Sequence, residues 1–184
     1  MEQDIIVKYS KKLSKILRHH PTMIGFTLDK NGWADVNELL EKYGTPPLSI
    51  DILKEVVETN DKKRFAFNDD FTKIRANQGH SIIVDLALEP TEPPALLFHG
   101  TATKNLQSIK GHGLVKGSRH HVHLSENEGT AKKVGGRYGV PVILKLKAKE
   151  MYEAGYAFFV SENEVWLTDH VPVRFLIFPN RPQI

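Results

Sequence analysis

Three prolines within five residues, Pro90, Pro93 and Pro94, interrupt the chain near its middle. Proline lacks a backbone donor and biases the residue before it away from helix, so this stretch reads as a linker. The 184 residues therefore divide into two lobes, residues 1–92 and residues 93–184. A hydrophobic fraction of 40% is enough to give both a core. Charge is unevenly shared. The first lobe carries thirteen Lys/Arg against fifteen Asp/Glu and the second twelve against seven, net charges of −2 and +5. A polyanion site in the first lobe must then be local, not a generally basic surface.

Other features close off whole classes of function. The chain has no cysteine, which excludes disulfide scaffolds, thiolate nucleophiles and thiolate zinc sites. No run approaches the roughly 20 apolar residues of a membrane span, and Met1-Glu2-Gln3-Asp4 does not open a secretory leader. A soluble, cytoplasmic protein with no membrane partner is expected. There is no internal repeat and no low-complexity run.

In the first lobe, Ile6, Tyr9, Leu13, Ile16 and Leu17 recur at helical spacing and predict a helix over residues 3–19, ended by Pro21. Lys12 and Lys15 project from another face, with Arg18 at its edge. Asp35 and Glu38 have the spacing of a capping box for a second helix, and Ser49 caps a third. Arg64–Phe67 and Phe71–Ala76 flank Asn68-Asp69-Asp70 as a β-hairpin. Three helices followed by a hairpin suggest a winged-helix lobe. The second lobe predicts short strands over residues 96–99, 121–125, 142–147, 157–160, 165–167 and 173–178, with helices near 103–110 and 126–134. That alternation is expected to give an α+β chain whose second sheet is mainly antiparallel.

Arg18-His19-His20-Pro21 admits two readings. Cations at a helix C-terminus complement its dipole, with no function implied. Alternatively Arg18 offers a bidentate fork for phosphate while His19 moves protons near neutral pH. Adjacent helical residues diverge by about 100°, so both reach one ligand only where the helix frays, as Pro21 makes it do. Arg64 opens the hairpin opposite the inward-facing Phe65 and Phe67, either solvated or gripping phosphate. Arg75, Gln78 and His80 lie in a polar loop around Gly79 that could hold RNA backbone.

In the second lobe, His99-Gly100-Thr101 sits where a strand meets a helix, and glycine would let a flat carboxamide such as nicotinamide approach the backbone. Arg119, His120, His121, His123 and Ser125 form a dense polar run. A metal site is disfavoured there, since no carboxylate or cysteine has suitable spacing. An anion and dinucleotide surface is preferred, with Arg119 for phosphate and His123 and Ser125 for ribose hydroxyls. No Rossmann fingerprint is present.

Leu17-Arg-His-His-Pro, Lys63-Arg-Phe, Arg75-Ala-Asn-Gln-Gly-His-Ser, Leu97-Phe-His-Gly-Thr, Arg119-His-His-Val-His-Leu-Ser and Val165-Trp-Leu-Thr-Asp-His-Val-Pro occur in this order over nearly the whole chain. The ordered set resembles the RNA 2′-phosphotransferase family, which acts on the tRNA-splicing 2′-phosphate. The resemblance implies a winged-helix RNA lobe and an ADP-ribosyltransferase-like lobe that binds NAD as co-substrate, with no metal. It implies a catalytic set of Arg18, His19, Arg64 and Arg119. His99, Gly100, Thr101, His123 and Ser125 are the expected NAD contacts, and Lys12, Lys15, Arg75, Gln78 and His80 the expected RNA contacts. The partner is RNA with an internal 2′-phosphate, and no protein partner is called for. The implied reaction has two steps. The RNA 2′-phosphate first displaces nicotinamide from its ribose carbon. The 2″-hydroxyl then attacks the bridging phosphorus, freeing 2′-hydroxyl RNA and ADP-ribose 1″,2″-cyclic phosphate.

The pattern departs from the family at one point. Ser161-Glu162-Asn163-Glu164 precedes Val165-Trp166, where Asn-Gly is expected. Glu-x-Glu resembles arginine-directed ADP-ribosyltransferases, so modification of protein or nucleic-acid ends is the alternative activity. The plainer reading is a charged turn between two strands. A non-catalytic winged-helix RNA binder is a further alternative.

Overall fold

The apolar stripe of the first helix is buried: Tyr9, Leu13, Ile16 and Leu17 all lie in one core with Phe26, Leu39, Tyr43, Leu53, Val56 and Ile74. In the computed structural model, which describes residues 2–179 and side chains from residue 4 onward, the chain divides into two compact units between Ala87 and Leu88. Pro90 lies on the second unit's side of that division, where it bridges Phe159 across a strand edge.

The first unit runs α1 (Glu2–Arg18), a 3₁₀ turn (Pro21–Ile24), β1 (Trp33–Asp35), α2 (Val36–Lys42), α3 (Ile50–Glu58), β2 (Phe65–Phe67) and β3 (Lys73–Ala76). Asp35 caps α2 by accepting from Glu38 N, and Ser49 caps α3 by accepting from Ile52 N. The Glu38 carboxylate pairs with Lys42 one turn on. The hairpin is antiparallel, with Phe65 opposite Ala76 and Phe67 opposite Ile74. A third strand completes the sheet: β1 pairs with β3, Trp33 opposite Arg75. Three residues are too few to show a period-2 pattern, which is why the sequence gives no sign of it.

The second unit runs β4 (Leu97–Ala102), a 3₁₀ turn (Thr103–Asn105), α4 (Leu106–His112), β5 (Leu114–Val115), β6 (Val122–Leu124), α5 (Glu128–Gly135), β7 (Pro141–Leu146), α6 (Ala148–Glu153), β8 (Phe159–Val160), β9 (Trp166–Thr168), β10 (His170–Val171), a 3₁₀ turn (Val173–Phe175) and β11 (Leu176–Ile177). Two three-stranded sheets, ordered β11-β7-β4 and β6-β9-β8, and a β10-β5 ribbon are all antiparallel. The chain is thus α+β. Phe98 and Ser125 form an isolated bridge that brings β4 beside the end of β6. Leu97, Leu144, Leu146, Met151, Phe158 and Trp166 fill the core.

Gly100 is explained by packing. A Cβ there would lie 1.7 Å from the Ala131 carbonyl oxygen of α5. The helix rests directly on the strand backbone, and the space that glycine leaves is filled by α5.

Candidate active site

In the first unit, α1 stops at Arg18. The Lys15 carbonyl accepts from both His19 N (3.2 Å), the last regular helical bond, and His20 N (2.9 Å), one residue out of register, so the helical advance ends there. Ser81 fixes this end twice. Its N–H donates to the Arg18 carbonyl at 2.9 Å, and its hydroxyl hydrogen-bonds His19 Nδ1 at 2.9 Å. Arg18 Nη2 donates to the Arg64 carbonyl at 3.4 Å, which sets the helix end against the start of β2.

Arg64 is half-buried, not the outward-facing solvated residue that strand alternation allows. Its Nη1 donates to Asn60 Oδ1 at 3.0 Å, and its carbonyl also accepts from Asn77 N at 2.9 Å. Burial pushes the guanidinium below its ordinary value, with Asp61 acting the other way. An arginine remains charged at neutrality regardless. The result is a fixed cation in a partly dry setting, where its field is stronger than in water.

The expected RNA contacts separate into groups. Lys15 is exposed on α1. Arg75 stacks on Trp33, its guanidinium carbon 4.5 Å from the ring centroid, and Gln78 is half-buried. Lys12 and His80 make contacts within the fold. The Lys12 ammonium donates to the Tyr43 (2.8 Å) and Thr45 (3.3 Å) carbonyls and lies over the Tyr43 ring, so its charge serves the end of α2. His80 is only 1% exposed and lies beside Gly32.

In the second unit, His99 Nδ1 meets the His123 carbonyl at 3.0 Å, tying β4 to β6. Burial pushes this imidazole below its usual range and the carbonyl only partly offsets that, so His99 is neutral at pH 7. A neutral ring facing a carbonyl carries its proton on Nδ1, which leaves Nε2 as an acceptor. Arg119, exposed before β6, places Nη1 2.7 Å from His123 Nδ1. Since arginine can only donate, that nitrogen is the acceptor in this geometry. The Ser125 hydroxyl interacts with Asn127 N and O, and buried Thr101 accepts from Asn105 Nδ2 at 3.1 Å. His121 packs on Phe159 instead of joining His99 and His123. Among the described residues no group of three His, Asp or Glu is placed to hold a metal.

Comparison with known proteins fixes what this arrangement belongs to. The profile of the RNA 2′-phosphotransferase, Tpt1 / KptA family matches residues 4–170. The chain belongs to this family. A relative from Flavobacterium johnsoniae is 54% identical over 97% of this chain and 99% of its own length. Relatives from Pseudomonas aeruginosa and Trichormus variabilis are 51% and 50% identical, over 96% and 98% of this chain and 98% and 100% of their own. All three carry the name "Probable RNA 2′-phosphotransferase".

Within the family pattern, Ser161-Glu162-Asn163-Glu164 is the turn joining β8 to β9. Glu162 and Glu164 are exposed, Glu164 N donates to the Ser161 carbonyl, and the Ser161 hydroxyl accepts from Val165 N. It is the charged turn that the plainer sequence reading expects. Glu164 has φ 60°, the left-handed region that favours glycine. Sequence reasoning missed Ser81, Asn60 and Asn77 as partners of the arginine–histidine cluster. Ser81 closes the Arg75–Ser81 motif, which is the signal for it in the sequence.

Proposed function

We propose that this chain removes an internal 2′-phosphate from RNA, consuming NAD, with Arg18, His19, Arg64 and Arg119 as its catalytic residues. The observation that carries the reading is the ordered end of α1: Arg18 against the Arg64 carbonyl, and His19 held by Ser81, in a chain of this family. We read the first unit as a winged-helix RNA lobe, on its three helices and its β2–β3 wing. The second we read as an ADP-ribosyltransferase-like lobe, on its paired antiparallel sheets with α5 packed on β4.

The residues suit the chemistry. A phosphate dianion must be aligned with a ribose carbon that becomes electron-poor as nicotinamide departs, and rigid guanidinium groups supply that alignment. In the second step charge grows on the phosphoryl oxygens, and the same arginines stabilise it. His19 gives a proton to the departing RNA 2′-oxygen or takes one from the attacking 2″-hydroxyl.

His99, Thr101, His123 and Ser125 are the side chains we assign to NAD. The neutral His99 Nε2 suits a hydroxyl donor, and its coupling to the His123 carbonyl keeps β4 and β6 in register around it. Gly100 contributes by admitting α5. Lys15, Arg75 and Gln78 remain the RNA-facing candidates. Incubation with NAD and an oligoribonucleotide bearing an internal 2′-phosphate should yield nicotinamide, ADP-ribose 1″,2″-cyclic phosphate and 2′-hydroxyl RNA. Stable ADP-ribose on RNA or protein, with the phosphate retained, would favour the alternative transferase activity.

A further inference from the structure

Arg64 follows an unusual backbone. Lys63, immediately before it, has φ 41°, in the region that side chains other than glycine rarely adopt. Such a turn persists only where its surroundings hold it. Asn60 does most of the holding. Its carbonyl accepts from Lys63 N at 2.7 Å, and its side-chain Oδ1 accepts from Lys62 N (3.2 Å), Arg64 N (3.4 Å) and Arg64 Nη1 (3.0 Å). Several N–H donors converge on that atom, so it is the amide oxygen, and Nδ2 is left to donate to Ser10 Oγ on α1 at 3.0 Å. From the other side, Asn77 Nδ2 donates to the Lys63 carbonyl at 2.7 Å.

We propose that Asn60 is a positioning residue for Arg64: one side-chain oxygen fixes both the backbone turn before the arginine and the direction of its guanidinium. The proposal rests on the reading of Arg64 as a phosphate-binding catalytic residue. A guanidinium is planar, so holding Nη1 sets the direction of the rest of the fork. The amide also suits the task electrostatically. A carboxylate at this position would accept the same hydrogen bonds but neutralise the cation and compete with the substrate phosphate. A neutral acceptor orients the arginine and leaves its charge for the ligand. The link to Ser10 anchors the assembly to α1, the helix that ends in Arg18 and His19.

The test is a mutant cycle on the full chain, with an oligoribonucleotide bearing an internal 2′-phosphate and NAD. Arg64→Ala should slow turnover strongly. Asn60→Ala should lower kcat/KM by about ten- to a hundredfold, since small misplacements of a catalytic group cost that much. In the Arg64→Ala background, Asn60→Ala should change turnover less than twofold, because the group it aims is gone. Asn60→Asp should fold and raise KM for the phosphorylated RNA. That variant keeps the proposal testable even if Asn60→Ala fails to fold. A merely structural asparagine would lower activity by the same factor in both backgrounds, and that result would overturn the proposal. So would an Asn60→Asp enzyme with native KM and kcat. If Arg64→Ala itself left turnover unchanged, the reading of Arg64 would fall instead, a distinguishable failure.

Discussion

His19 and Ser81 are 62 residues apart in sequence and share a 2.9 Å hydrogen bond. A proton-transfer group works best when its ring is held in one orientation, and no contact of this kind is visible in local spacing. The sequence therefore offers Arg18 and His19 as either a helix terminus or a site, and it takes Ser81 and Arg64 to give them a geometry. Ser81→Ala should release the ring and slow phosphate removal about threefold to tenfold, a fraction of what loss of a general acid costs. Rapid-quench separation of the steps should show nicotinamide release slowed less than appearance of 2′-hydroxyl RNA. Equal slowing of both would argue against a second-step role. His99 makes a different prediction. Its imidazole is pushed below 6.5 in the folded chain, chiefly by burial. As pH falls through about 6.5 the unfolded chain takes up that proton first, so the stability due to neutral His99 is present above pH 6.5 and lost as the solution is acidified toward the lowered value. Urea unfolding of His99→Asn should vary less between pH 7 and pH 5 than unfolding of the parent chain.

At the scale of elements, what could be read was whatever had periodicity or a cap. α1, α2 and α3 announce themselves by an apolar stripe, Asp35 and Ser49, and the β2–β3 hairpin by its turn residues. β1, β5, β10 and α6 are not among the elements that the sequence predicts: each is short, and none stands in a longer run of strand-forming residues. The segment over residues 173–178 shows the same limit: it is a 3₁₀ turn followed by the two-residue β11, not one strand. Gly100 was legible as a glycine but not for its reason, since α5 arrives from about 30 residues away. Gly100→Ala should destabilise the chain by about 3 kcal/mol, as the methyl must displace a helix backbone. Glu164→Gly should do the reverse. Relief of the left-handed turn at φ 60° is worth about 1 kcal/mol, partly offset by the freedom glycine gains when unfolded. Chemical denaturation should show a higher midpoint at unchanged slope, and a lower midpoint would contradict the turn assignment.

For the molecule as a whole, the family reading covers residues 4–170, so it spans both units. The ordered motifs made that legible in the sequence when no single motif could. Lys12, on a basic helix face, bonds the Tyr43 carbonyl, and His80, in a polar loop, is buried, contacts that sequence position does not announce. The first half carries no net positive charge, and Arg64, held by Asn60 Oδ1, is its best-defined fixed arginine. On the proposed function, phosphate leaves RNA only by transfer to the ADP-ribose of NAD. This is tested most directly by following a radiolabel placed on the internal 2′-phosphate in a single turnover, with and without NAD. All the label should move to ADP-ribose 1″,2″-cyclic phosphate, with one nicotinamide appearing per phosphate removed, and nothing should happen without NAD. Label released as inorganic phosphate, or lost from RNA in the absence of NAD, would contradict it.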